Sequence, residues 1–248
     1  FADSPPTDKR LAQSHLSDLG CHYLAGLLTH AKGMTLMCTP TVNGFGRFRP
    51  HALAPQSILW GLDNRGAMLR VIGGPGDSAT RIENRLGEPA ANPYLYMAAQ
   101  IHAGLSGIAQ GLMPPDATES PYAEPEGVSR IPTQMGDALH ELQTDAAMRL
   151  GFGADFIDHY SRLKLAELQR YEAAEDKTEF QRREYFSATC HVMVREPWLS
   201  QLPAMSADED NMLDFAASAR QANSRLSCQI KLTESMQGME IDLQPTQY

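Results

Sequence analysis

Cysteine is scarce in this chain, with four in 248 residues. That is too few for a disulfide scaffold at this length, so a reducing cytoplasm is the expected compartment. No run approaches the roughly 18 apolar residues of a membrane span, and the N-terminus lacks signal-peptide architecture, so no membrane partner is expected. Basic residues are outnumbered: 21 Lys and Arg face 30 Asp and Glu, a formal net charge of −9. This balance argues against nucleic acid as a partner, because phosphate backbones need clustered Lys and Arg. Metal-ligand spacing is also missing from the first part of the chain. His15, His22 and His30 are neither three nor four apart and read as surface or boundary residues. Cys21 and Cys38 have no cysteine partner at metal spacing and read as buried free thiols. No internal repeat is present. The chain begins at Phe1 without a methionine, which suggests a missing upstream part.

What is there suits a soluble globular protein of one large or two smaller domains, with 42% hydrophobic and 21% charged residues. Asp8 to Lys32 reads as a helix with Leu16, Leu19, Tyr23 and Leu27 near one stripe and Gly33 as its stop. Asn92-Pro93 opens a second helix running to about Leu112, packed through Leu95, Ala98, Ala99, Ala103 and Leu105, with Pro114-Pro115 ending it. Residues 121–132 read as a loop. Two helices follow, about Met135 to Leu150 and Ala154 to Glu175, the second amphipathic through Phe156, Tyr160, Leu163 and Leu168.

Between the first two helices, arginines recur among short apolar segments. Met68, Arg70 and Ile72 alternate with Leu69 and Val71, the pattern of a half-buried strand. Arg81, Glu83 and Arg85 sit at spacing two, so on a strand they leave one face. Guanidinium groups flanking a carboxylate make a poor core. By spacing alone such alternation is ordinarily a solvated face with weak ion pairs, and it also suits phosphates and a metal ion.

The blocks NGFGRFRP, AP, DNR, LRV, RIENR and EPAANPYL, in this order, closely resemble the second half of the glutamine synthetase catalytic domain, over about residues 1–186. The resemblance implies ATP-dependent ligation of ammonia or an amine to the γ-carboxyl of glutamate through γ-glutamyl phosphate. It implies that Arg47 holds the glutamate carboxylate, and that Arg65 and Arg70 contact the transferred phosphate and the nucleotide phosphates. It places Arg81 on the nucleotide side, Glu83 on Mg²⁺ or Mn²⁺, and Arg85 on glutamate or the phosphorylated intermediate. It also implies a homo-oligomer. Two departures stand out. Leu53 sits where ammonia-using members carry a glutamate, which suggests an organic amine. The family's N-terminal β-domain and its Glu-x-Glu metal ligands are absent before Phe1, so turnover is expected to be impaired.

From Ser187 the character changes. TCHV, a tryptophan, DEDNMLDFA, NSRLSCQI and GMEIDL resemble the C-terminal part of an adrenodoxin-like [2Fe–2S] ferredoxin, over about residues 187–248. The resemblance matches Cys190 and Cys228 to two of four cluster thiolates, with Ser187 at a third position. It gives the acidic helix Asp208 to Arg220 a redox partner to dock, and makes His191 structural. Trp198 and Phe215 read as core. The expected fold class is α+β: an incomplete antiparallel sheet, curved and backed by helices, then a partial β-grasp remnant. Three functions compete: the ligase, a redox or binding module, and an inactive fusion of two gene fragments.

Overall fold

The computed structural model describes residues 15–49, 52, 54–121, 127–186, 191–214, 219–231, 233 and 236–243. The chain divides into two compact units, Phe1–Gln169 and Arg170–Tyr248. No helix among the described residues is long and apolar enough to cross a membrane.

In the first unit α1 (Asp18–Thr29) starts where Ser17 accepts a hydrogen bond from the Gly20 N–H. The expected helix does not run on to Gly33. The chain leaves helical geometry at His30 and restarts as α2 (Ala31–Cys38), with Gly33 inside it against Asp145. Cys21 and Cys38 are fully buried, as their sequence setting suggested. Leu16, Leu24, Leu27 and Leu28 face the core, whereas Leu19 is exposed.

Next come the single turn α3 (Val42–Phe45) and three short strands: β1 (Trp60–Leu62), β2 (Leu69–Ile72) and β3 (Arg81–Asn84). β2 alternates as predicted, with Leu69 and Val71 buried and Arg70 and Ile72 partly exposed. The order β1-β2-β3 pairs β1 with β2 in parallel and β2 with β3 antiparallel, so this sheet is mixed and corrects the all-antiparallel expectation. Parallel pairing needs a crossover, and the chain supplies only the short loop at Asp63–Met68, whose Asp63 takes a left-handed φ of 45°.

α4 (Pro93–Gln110) has the predicted span, capped by Asn92 and ended by Gly111 at φ 60°. It packs closely along α1: a Cβ on Gly26 would lie 2.2 Å from the Ala103 carbonyl, and one on Gly107 2.2 Å from that of His22. Ala99 and Ala103 are buried there, but Leu105 is exposed, because small residues alone permit this approach. The expected helix over Met135 to Leu150 is two helices, α5 (Met135–Thr144) and α6 (Ala146–Phe152), with Asp145 in extended geometry capping the second. α7 (Ala154–Ala173) buries Ile157 and Ser161 and leaves Leu163 exposed. The core joins these helices to the sheet through Trp60, Met68, Leu86, Ile131, Leu142 and Met148. The Trp60 indole, 2% exposed, donates to the Pro115 carbonyl at 2.7 Å.

His15, His22 and His30 are half-buried, the boundary setting expected of them. His22 Nδ1 lies 2.7 Å from the Leu112 carbonyl oxygen. His30 bridges Asp145 at 2.9 Å and Ser106 Oγ at 3.0 Å.

In the second unit α8 (Lys177–Phe186) precedes β4 (His191–Val194), α9 (Ala207–Leu213), β5 (Ser224–Leu226) and β6 (Ile241–Leu243). The three strands form an antiparallel sheet in the order β5-β4-β6. The acidic residues on and just after α9 do not all face solvent: Asp210 and Asp214 are exposed, but Glu209 is not. Glu209, 2% exposed, points inward and accepts from Arg225 Nε and Nη2 at 2.8 and 3.0 Å and from the Leu226 N–H at 2.8 Å. Asp210 and Asp214 are engaged by Arg220. His191 is buried, 2.6 Å from Ser224 Oγ. Trp198 is half-buried, and Phe215 lies outside the described residues.

Candidate active site

Strand register builds the site. Arg70 and Glu83 are direct partners across β2 and β3, so both side chains leave the same face. Arg70 Nη1 donates to Glu83 Oε2 at 3.0 Å, and its Nε donates to Asp63 Oδ1 at 2.9 Å. Asp63 and Glu83 thus hold the Arg70 guanidinium from two sides and raise its pKa, the hydrogen bond it donates to Asp63 contributing most. Arg85 follows at spacing two, its Nε 3.4 Å from Glu83 Oε1.

A concave cavity of about 780 Å³ opens beside this row. Asn43, Gly46, Arg47, Arg49, Ala52, Ala54, Glu83, Asn84 and Arg85 line it. Arg47 comes from the turn after α3 and is held from behind: Nη1 donates to the Gly87 carbonyl at 2.7 Å and Nη2 to that of Leu86 at 2.8 Å. Its guanidinium carbon sits 5.5 Å from the centre of the Phe48 ring. Burial pulls its pKa below the ordinary value, against the opposing charge of Glu88.

The structure therefore brings together Arg47, Glu83 and Arg85, with Arg70 reaching Glu83 from the neighbouring strand. It does not bring in all the residues that the resemblance implied. Arg81 is exposed and donates to the carbonyl of Ala79 two residues earlier, at 2.9 Å. Arg65 is exposed on the β1–β2 turn and lines no part of this cavity. Leu53 lies outside the described residues. Arg49 is an addition that sequence reasoning missed; its spacing of two from Arg47 was the available signal.

The described residues do not fit a divalent ion. Glu83 Oε2 accepts from Arg70, and Oε1 faces Arg85. Among the described residues no group of three or more His, Cys, Asp or Glu side chains is placed to hold a metal. A hard cation takes about six or more oxygen ligands, and two guanidinium groups beside the single carboxylate oppose it. Cys190 and the Cys228 side chain lie outside the described residues, so the iron–sulfur expectation has no geometry here.

Comparison with known proteins agrees with the first resemblance. Residues 7–183 match the family model described as glutamine synthetase, catalytic domain. A γ-glutamylanilide synthase from Acinetobacter sp. is 42% identical over 182 residues, covering 69% of this chain and 36% of that protein. A glutamine synthetase from Thermococcus kodakarensis is 36% identical over 162 residues, covering 61% of this chain and 36% of that protein. Two solved structures share the fold. One is described as apo GmaS without ligand (TM-score 0.58, 32% identity, 68% of this chain and 38% of that one). The other is described as a GmaS/ADP complex (TM-score 0.56, 31% identity, 68% and 40%). The chain thus spans about a third of the length of the curated relatives it matches. With the match covering residues 7–183, this chain belongs to the glutamine synthetase catalytic-domain family.

Proposed function

We propose that this chain carries the glutamate- and phosphate-facing part of an ATP-dependent carboxylate–amine ligase. The observation that carries the reading is the meeting of Arg47, Glu83 and Arg85 on one cavity, with Arg70 behind Glu83. In the reaction the side-chain carboxylate of glutamate attacks the γ-phosphorus of ATP, ADP leaves, and an amine then displaces phosphate from the acyl phosphate. Fixed guanidinium groups lower the barrier where the transferring oxygens gain charge. Arg47 holds a glutamate carboxylate, and Arg85 faces glutamate or the phosphorylated intermediate. Arg70 is assigned to the phosphates, and Glu83 orients Arg70 and Arg85. Arg65 and Arg81, exposed and outside the cavity lining, reach the phosphates only if their side chains swing inward. Because Glu83 is a poor metal site in this setting, no step is assigned to Mg²⁺ or Mn²⁺ at it, and turnover by the chain alone is low.

Leu53, together with the 42% identity to a γ-glutamylanilide synthase, supports an organic amine over ammonia as acceptor. The test is phosphate release from ATP with glutamate and either ammonium or aniline. Release should require glutamate, favour aniline, and vanish in Glu83→Ala. Glutamate-independent release, or an unimpaired variant, sinks the reading.

A second reading rests on the antiparallel pairing of the HVMV, SRL and IDL segments, which suits a ferredoxin-like remnant. Two matched thiolates are too few for a cluster that takes four, so no redox step is assigned. Visible absorption lost in Cys228→Ala would support it. If neither signal appears, an inactive fusion is the remaining account.

A further inference from the structure

Arg47 reaches its cavity from a segment with little secondary structure of its own. α3 is a single turn, and the residues after it are held by isolated turn bonds. Something outside the segment must fix it. The stretch just after β3 does so at three points. Thr39 Oγ1 donates to the Leu86 carbonyl at 3.0 Å, and the Glu88 N–H donates to the Cys38 carbonyl at 3.0 Å. Arg47 itself donates to the carbonyls of Leu86 and Gly87.

The remaining link is a side chain. Glu88 Oε1 accepts from the Thr41 N–H at 3.1 Å and from Thr41 Oγ1 at 2.9 Å. Thr41 Oγ1 in turn accepts from the Gly44 N–H at 3.0 Å, which caps α3. The carboxylate lies so close to Gly44 that a Cβ there would sit 2.2 Å from Glu88 Oε2. Glu88 is also the leading charge that opposes the loss of the Arg47 proton.

We infer that Glu88 is a positioning residue: its carboxylate clamps the Thr41–Gly44 turn and thereby sets the Arg47 guanidinium in the cavity. It does not line the cavity. Its effect passes through Thr41 and the capped turn on one side, and through the neighbouring Leu86 and Gly87 carbonyls on the other. Glutamine in its place keeps one acceptor oxygen for Thr41; alanine keeps none. The consequence for glutamate binding rests on the function proposed above, whereas the placement of Arg47 does not.

The test therefore has two arms. In the first, the full chain is labelled with ¹⁵N-arginine and the Arg47 Nε–H signal is assigned by its loss in Arg47→Lys. Arg47 Nε is buried, so its hydrogen exchange should be at least about tenfold slower than that of exposed arginines. Glu88→Ala should bring it to the exposed rate without a matching fall in melting temperature, and Glu88→Gln should restore most of the protection. Should Glu88→Ala fail to fold, Thr41→Val, which removes only the hydroxyl, should speed exchange in the same direction. An unchanged Arg47 signal in variants that fold overturns the inference. In the second arm, glutamate affinity should fall about tenfold in Glu88→Ala and recover in Glu88→Gln, an effect the size of one lost charge-assisted contact. Absence of glutamate binding in the unaltered chain counts against the proposed function alone, because the first arm still decides on Glu88.

Discussion

Arg70 and Glu83 stand opposite each other in the β2–β3 register, guanidinium Nη1 3.0 Å from carboxylate Oε2. The same guanidinium holds Asp63, so one side chain ties the β1–β2 turn to the strand that carries the site.

Asp63→Asn tests that tie. Asparagine tolerates the left-handed backbone at this position as aspartate does, so the melting temperature should stay within about a degree or two. Phosphate release should nonetheless fall about three- to tenfold as Arg70 loses one of its anchors. An unaltered rate would show that Glu83 alone orients Arg70.

The space around two helical glycines, Gly26 at the α1–α4 contact and Gly136 on α5, predicts opposite signs for their substitution. Gly26→Ala drives a methyl into the Ala103 carbonyl and should cost about 1–3 kcal/mol. Gly136→Ala, near the start of α5, meets nothing closer than Leu168 Cδ2 at 3.5 Å. It should stabilise by about 0.5 kcal/mol, because alanine narrows the unfolded ensemble. Denaturant midpoints for the two variants should therefore move apart.

Asp145 has two tasks. Oδ1 accepts from the Met148 N–H at 3.0 Å as the cap of α6, and Oδ2 holds His30. Asp145→Ala removes both bonds and should cost about 2–3 kcal/mol, whereas Asp145→Asn, which can still cap, should cost about 1 kcal/mol. Equal losses in chemical unfolding would make the α6 cap negligible and leave the His30 contact as the whole effect.

In the second unit, acid should act in two stages. Burial lowers the pKa of His191 below its ordinary 6.5, so the unfolded chain binds a proton there first, and stability falls as pH drops below that value. Burial pushes the Glu209 carboxyl upward, but the Arg225 hydrogen bond and the Leu226 N–H together hold it below its ordinary 4.5. Its contribution is complete above 4.5 and is lost as pH falls towards the folded value. Glu209→Ala leaves Arg225 buried without its partner and should cost about 3–5 kcal/mol at neutral pH. Unfolding followed from pH 8 to pH 3 checks both stages; a flat profile would contradict them.

The sequence disclosed what depends on local spacing. The alternation at Leu69–Ile72, the two-residue spacing of Glu83 and Arg85, and the Asn92 cap before α4 all survive in the structure. Contacts between distant segments were not readable. Nothing in the string EDN marks Glu209 as buried, because its partner Arg225 is 16 residues away. The side chain of His30, at the break between α1 and α2, likewise finds its partners far along the chain, at Asp145, 115 residues later, and at Ser106. Arg81 and Arg65 illustrate the converse. The motif placed them in a series, but a series along the chain does not fix where flexible side chains on a strand edge and an exposed turn will point.

The chain has two tryptophans, and they fall one to each unit: sealed Trp60 in the first and half-covered Trp198 in the second. Intrinsic emission therefore comes with a built-in colour difference. Replacing either indole with phenylalanine leaves a single optical reporter, so the melting of each half can be timed on its own without an extrinsic dye.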